Sequence, residues 1–301
     1  MALAPLPTTT ARGRGFARPT TRPRGPRLGL LTRRTLLYLA LAVIVVVQFL
    51  PLIWALLTSS MTPQETTAVP APLWPAHPTL SSYREALQGD IGRYYLNSII
   101  ASLASTLVTM LLATLAAYAF ARLRFRWKRL ALLFVVSLSL FPPFSQVIPL
   151  YLILQSLHLI GTLLALIIPY SVFGLPMAIL ILMAFLQEVP FEYEEAAALD
   201  GMSRLGAFVR IVLPMIIPGL FTTAVIVFVG DWNEYLFALN YTTTATYTLP
   251  VGVVILSQTE FTTNFGVLSA AMVMSVVPLV ALILLLERRI VSGLTAGGLK
   301  G

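Results

Sequence analysis

The residues best equipped for chemistry stand in two short stretches. One runs Gln187-Glu188-Val189-Pro190-Phe191-Glu192-Tyr193-Glu194-Glu195-Ala196-Ala197-Ala198-Leu199-Asp200-Gly201-Met202-Ser203-Arg204, and the other is Gly230-Asp231-Trp232-Asn233-Glu234-Tyr235. Two carboxylates can share acid and base duties. Here neither a paired-carboxylate site with its accompanying groups nor a Ser/His/Asp set stands out, so an enzyme active site is not expected. The two histidines, His77 and His158, are isolated and cysteine is absent, which excludes a disulfide framework or a thiolate metal site and leaves no metal site to expect. No Gly-x-x-x-x-Gly-Lys-[Ser/Thr] loop occurs, so the chain cannot hold a nucleotide in the P-loop manner.

The first stretch implies the element that must carry it. A helix begins after Pro190, and Glu192, Glu194 and Glu195 lie in its opening turn, where acids complement the helix dipole. Gly201, free to take a positive φ, ends it. A short, exposed amphipathic helix of this kind is either a plain surface helix or a knob for a partner, and both readings stand at this level.

Composition says what surrounds that helix. With 57% apolar residues, 11% charged and a mean hydropathy of +0.86, the 301 residues carry more apolar surface than a soluble domain could bury. The excess must face lipid. The net charge of +8 comes from eight arginines in residues 1–34 (Arg12, Arg14, Arg18, Arg22, Arg24, Arg27, Arg33 and Arg34), with 12 basic and 12 acidic residues balancing in the rest. A basic segment directly before an apolar run is retained on the cytoplasmic side and can rest on anionic lipid, so nucleic acid is not expected as a partner. Residues 1–34 are rich in Pro, Thr and Gly and are expected to be a disordered cytoplasmic tail.

Thr35 to Leu57 runs 23 residues without a charge, enough to cross a ~30 Å hydrocarbon core. The segment Thr32-Arg33-Arg34-Thr35-Leu36-Leu37 resembles a twin-arginine export signal, but the apolar stretch is too long for a signal core and no small-x-small site follows. Residues 35–57 therefore read as a first span, 58–94 as a proline-bearing outer loop, 95–287 as a core of five further spans with a cytoplasmic loop at 187–214, and 288–301 as a cytoplasmic tail. Within the core the spans are expected at Ser98–Phe120, from Leu130 with breaks at Pro142-Pro143, Gln146 and Pro149, at Gly161–Phe185 with Pro176 inside, at about Ile216–Leu236, and at Val267–Leu286, ending on Glu287-Arg288-Arg289. Small residues four apart, Ala101 with Ser105 and Ala113 with Ala117, predict close helix packing. With six spans and the amino terminus inside, 18 of the 20 basic residues fall on the inner side and only Arg84 and Arg93 outside, which puts both termini in the cytoplasm. Asp231 and Glu234 then lie about 17 and 20 residues beyond Pro214, roughly 25–30 Å up a helix. They either line the outer mouth of a pathway, as costly ionisable groups at membrane depth do, or cap the span at headgroup level beside Trp232 and Tyr235.

Glu195-Ala196-Ala197, three residues, Gly201, nine residues, then Ile211-Val212-Leu213-Pro214 resembles the EAA loop of ABC importer permeases. Asn97-Ser98, Gly230 to Tyr235 and the terminal Gly293 to Gly301 resemble the carbohydrate branch of that family, the MalG-like permeases for maltose and trehalose. The resemblance implies an all-α polytopic bundle of six transmembrane helices, the type I importer permease fold, in a bacterial or archaeal inner membrane. It implies partners: a second, MalF-like permease subunit, two MalK-like ATPase subunits that bind ATP and Mg²⁺, and an extracytoplasmic solute-binding protein. Carried over residue by residue, Glu194, Glu195, Ala196, Ala197, Asp200 and Gly201 would dock on an ATPase, with Ile211, Leu213 and Pro214 setting the return into the fifth span. Gly297, Gly298, Leu299, Lys300 and Gly301 would reach the ATPases, Asn97, Asp231, Asn233 and Glu234 would line the pathway or its outer mouth, and Gln258, Thr259 and Glu260 would meet the binding protein. No cofactor is expected in the chain itself. A maltose- or trehalose-like oligosaccharide is the first expectation for the solute, with glycerol phosphate as the alternative within the family. Two rivals are an ion-coupled secondary transporter, which would need coupling acids that spans one to four lack, and an assembly protein whose spans only scaffold partners.

Overall fold

The computed structural model describes the backbone of residues 27–257 and 264–298, and the side chains of 34–256 and 264–284. Among these residues every regular element is helical. The chain divides into two units, residues 1–51 and 52–301. The first unit contributes most of α1 (Arg27–Ser59), whose apolar side chains from Leu36 to Leu50 are exposed, as lipid-facing residues must be.

In the second unit, α2 (Pro63–Thr66) and α3 (Ser81–Gln88) fold the segment after α1. Glu65 organises α2: its carboxylate accepts the backbone N–H of Thr62 at 2.8 Å, of Ala76 at 2.9 Å and of His77 at 3.2 Å. The central helix is α4 (Asp90–Arg122), with an acid in its first turn and a base in its last, the arrangement that suits the dipole. Its face of small and hydroxyl residues, including Ala101, Ser105, Ala113 and Ala117, is buried, and its main partner is α7. The small-residue spacing predicted that closeness.

Helices α5 (Lys128–Leu138) and α6 (Pro143–Ser156) meet at a 98° bend. The break falls at the proline pair because Pro142, preceding another proline, is pushed to an extended ψ of 130°. Gln146 and Pro149 do not break the chain as expected, and Pro149 sits inside α6, where one missing N–H is tolerated. Helix α7 (Leu164–Glu188) likewise absorbs Pro169 and Pro176. The short α8 (Glu192–Leu199) leads to α9 (Arg204–Met215), which contains a π-helical turn at Phe208–Val212 and meets α10 (Ile217–Trp232) at 75°.

After α11 (Leu236–Tyr241) and α12 (Leu249–Ser257) the chain ends in α13 (Phe265–Gly298). Between α11 and α12, and into α12, Thr248, Leu249 and Val251 are buried. The last helix continues past Glu287-Arg288-Arg289, where its apolar stretch ends, to Gly298, because charge marks where an apolar stretch leaves lipid without ending a helix. Four described helices are long and apolar enough to cross a membrane, and counting each bent pair as one span gives six.

Candidate functional site

Helix α8 is closed by its own sequence. Gly201 takes φ +79°, so its N–H reaches the Ala198 carbonyl at 3.1 Å and the Met202 N–H reaches the Ala197 carbonyl at 2.9 Å. This double closure is the left-handed glycine ending that satisfies the last carbonyls of a helix. Ser203 then caps α9, its hydroxyl accepting the Gly206 N–H at 3.2 Å. Further along, the Leu213 N–H reaches back five residues to the Phe208 carbonyl. Pro214 has no N–H to continue the regular ladder, and the π turn together with Pro218 passes into the bend before α10.

The helical period gives α8 two faces. Glu195, Ala196, Leu199 and Asp200 are exposed, with Leu199 89% exposed and, beyond it, Leu205 68% exposed. Glu194 and Ala197, expected on the docking surface, turn inward instead, being three residues apart on the opposite side of the helix. The Glu194 carboxylate meets the Arg122 Nε at 2.7 Å, both side chains about nine-tenths buried, and accepts the Tyr118 hydroxyl at 2.7 Å. Arg122 also donates to the Val189 carbonyl at 2.5 Å and lies over the Phe191 ring, 5.8 Å from its centre. A cavity of about 530 Å³ opens beside this cluster, lined in part by Arg124, Glu195, Ala198, Met202 and Arg204. Ile211 and Leu213 are half-buried in and after the π turn, and Pro214 is exposed.

A second polar region runs along α4 toward its amino-terminal end. Asn97 donates to the carbonyls of Ala245 at 3.1 Å and Tyr247 at 3.0 Å, and Ser98 accepts the Leu249 N–H at 2.8 Å. Ser105 donates to Asp231 at 2.5 Å, and Ser171 on α7 donates to the Ser105 carbonyl at 3.3 Å. Glu234 accepts the Tyr170 hydroxyl at 2.7 Å and the N–H groups of Phe237 at 2.8 Å and Ala238 at 3.1 Å. Asn97, Asp231 and Glu234 therefore join segments of the chain to one another. Of the four residues expected there, Asn233 alone is exposed, its side chain donating to the Val229 carbonyl.

Gln258, Thr259, Glu260, Leu299, Lys300 and Gly301 lie outside the described residues, and Gly297 and Gly298 form the end of α13. Among the described residues no cluster of His, Asp and Glu could hold a metal ion. Sequence reasoning missed Tyr118, Arg122, Ser105 and Tyr170. Arg122 counted only as one of the 18 basic residues on the inner side, and nothing local pairs it with an acid 72 positions away. The signal for the tyrosines was their position in apolar runs, since a buried hydroxyl needs a partner.

Residues 110–295 match the family model described as the binding-protein-dependent transport system inner membrane component. The chain is 40% identical over 270 residues to the sulfoquinovosyl glycerol transport system permease protein SmoH of Agrobacterium fabrum, covering 89% of this chain and 94% of that protein. It is 36% identical over 273 residues to the trehalose/maltose transport system permease protein MalG of Thermococcus litoralis, covering 89% of this chain and 98% of that one. In architecture it resembles a chain of a bacterial ABC transporter involved in the import of the acidic polysaccharide alginate, with a TM-score of 0.75 at 18% identity over 89% of this chain and 98% of the other.

Proposed function

Because the chain belongs to the family of inner membrane components of binding-protein-dependent transport systems, we propose that it forms half of the translocation pathway of an ABC sugar importer and is driven through α8. It is a multi-pass membrane protein of a transport family, and its partners in this reading are a second permease subunit, two ATPase subunits and an extracytoplasmic binding protein. The observation that carries the reading is the outer face of α8. An eight-residue helix presenting Glu195, Ala196 and Leu199 away from its own bundle exposes an apolar side chain that a partner would cover.

The distribution of basic residues supports an orientation with α8 and both termini in the cytoplasm, 18 of the 20 lying on that side. ATP-driven closure of the ATPases then displaces α8, and the spans rock between inward-open and outward-open. The absence of a phosphate-binding loop from the sequence supports placing ATP and Mg²⁺ in separate subunits. For the solute, relatives named for sulfoquinovosyl glycerol and for trehalose or maltose support a glycoside of about disaccharide size, with a maltose- or trehalose-like sugar first and glycerol phosphate as the alternative.

Reconstitution tests this. The detergent-solubilised chain is expected to co-purify with a P-loop ATPase, and proteoliposomes of the complex to take up sugar only with ATP inside. Uptake that continues without ATP and collapses with an ion gradient would overturn the reading in favour of an ion-coupled transporter, in which Asp231 and Glu234 would be the coupling acids.

A further inference from the structure

Helix α8 is poorly anchored by ordinary packing. Its eight residues span about 12 Å, too few to be stable alone. Ala197 is its one buried apolar residue, and a single alanine removes little surface from water. Non-helical joints flank it on both sides, Val189 to Phe191 before and Asp200 to Ser203 after. Pushed from outside, a helix so attached would pivot on those joints and deliver little displacement to the spans.

One cluster counters that freedom. Arg122, at the end of α4, touches three successive parts of the α7–α8 joint: the Val189 carbonyl, the Phe191 ring and the Glu194 carboxylate. Tyr118, one turn earlier on α4, takes the other carboxylate oxygen. The planar guanidinium suits this task because one of its N–H groups bonds the Val189 carbonyl while Nε, 2.7 Å from the Glu194 carboxylate, supplies an ion pair without a hydrogen bond, whereas a lysine would offer one mobile charge. Helix α4 in turn packs along α7 and reaches Ser105 and Asp231 some 25 Å away. It is the element best placed to carry a displacement.

We propose that Arg122, Glu194 and Tyr118 form a clasp that makes α8 and the end of α4 move as one body, so that displacement of α8 is delivered to α4 rather than lost in the flanking joints. This rests on the reading of α8 as the coupling helix, and it adds two positioning residues outside the EAA loop. Neither Arg122 nor Tyr118 needs to touch the ATPase or the sugar. Their role is to hold Glu194, and through it α8, in one orientation.

The absence of cysteine from the chain allows a direct test. Spin labels at Leu115→Cys on α4 and Leu199→Cys on α8, both exposed positions, should give one narrow distance in the purified chain. Arg122→Gln should at least double the width of that distribution, and Tyr118→Phe should broaden it less. Tyr118→Phe keeps the ring and removes one hydroxyl, so it remains informative if Arg122→Gln fails to fold. A distribution as narrow in both variants as in the parent overturns the clasp whatever the chain transports. In the assembled transporter, sugar imported per ATP hydrolysed should fall about tenfold in Arg122→Gln, within the usual range of coupling energies, and an unchanged ratio also overturns it. Failure to recruit any ATPase would count against the functional reading alone, because the distance measurement needs no partner.

Discussion

A tyrosine hydroxyl meets a glutamate at 2.7 Å in two regions of the molecule, Tyr118 with Glu194 and Tyr170 with Glu234, yet the two sites are built for different ends. Glu234 spends its remaining capacity on the N–H groups of Phe237 and Ala238, three and four residues along its own chain, and so caps the start of α11. Among the described residues the Glu194 carboxylate accepts no backbone N–H, and it pairs with Arg122 at the end of α4. The first carboxylate is a local fastening strengthened by one cross-helix bond. The second is a joint between elements, and it lies on the back of a helix whose front is exposed. An acid that closes its own turn fixes a shape, while an acid that grips a neighbouring helix can transmit a force.

Removing each carboxylate separates these roles. Glu194→Ala leaves the Arg122 guanidinium buried without its counter-charge and should cost about 3–5 kcal/mol, read as a large drop in thermal midpoint in detergent. Glu234→Ala strands two N–H groups and a phenol, all neutral, and should cost about 1–3 kcal/mol. Equal losses in the two variants would erase the distinction between a joint and a cap. Between these regions α10 crosses α7 at Gly219, where an added Cβ would lie 2.4 Å from the Phe185 ring. Gly219→Ala should therefore destabilise by about 1–3 kcal/mol, and a stable variant would mean that the two helices can part at no cost.

The exposed face of α8 should behave in the opposite way. Leu199→Asp alters a side chain that is 89% exposed, so the isolated chain should keep its stability within about 0.5 kcal/mol while losing co-purification with the ATPase. The smallest effect is expected at Glu65. The Thr62 N–H, with those of His77 and Ala76, holds its carboxyl below the usual glutamate range. A depressed folded value contributes stability above the unfolded value and loses it as pH falls through the folded one. Amide exchange at Ala76 and His77 should therefore speed up, relative to a Glu65→Ala control, only below the usual glutamate range. A parent and control that respond alike to acid would sink that reading.

Much of this architecture could be read from residue order alone. The apolar runs marked the spans, and Pro142-Pro143 marked the bend before α6, because steric exclusion of the residue before a proline is a local effect. The ending of α8 was equally local, since Gly201 needs only its own φ to close the helix. What escaped was whatever depends on a distant partner. Glu194 and Glu195 are neighbours of the same type, and only the position of Arg122 decides which turns inward. Asp231 read as a residue of a pathway mouth because ionisable groups at membrane depth are costly, and Asn97 through the family resemblance. Their bonds to the hydroxyl of Ser105 and to the carbonyls of Ala245 and Tyr247 could not be read without knowing which segments meet.

If an ATPase covers the front of α8 while its back grips α4, assembly should hide Leu199. Leu199→Cys supplies the only thiol in the chain, and its reaction rate with a membrane-impermeant maleimide reads that access. Labelling should be fast in the isolated chain and strongly suppressed in the complete transporter. Equal labelling rates in the two states would mean that no partner covers this face of α8.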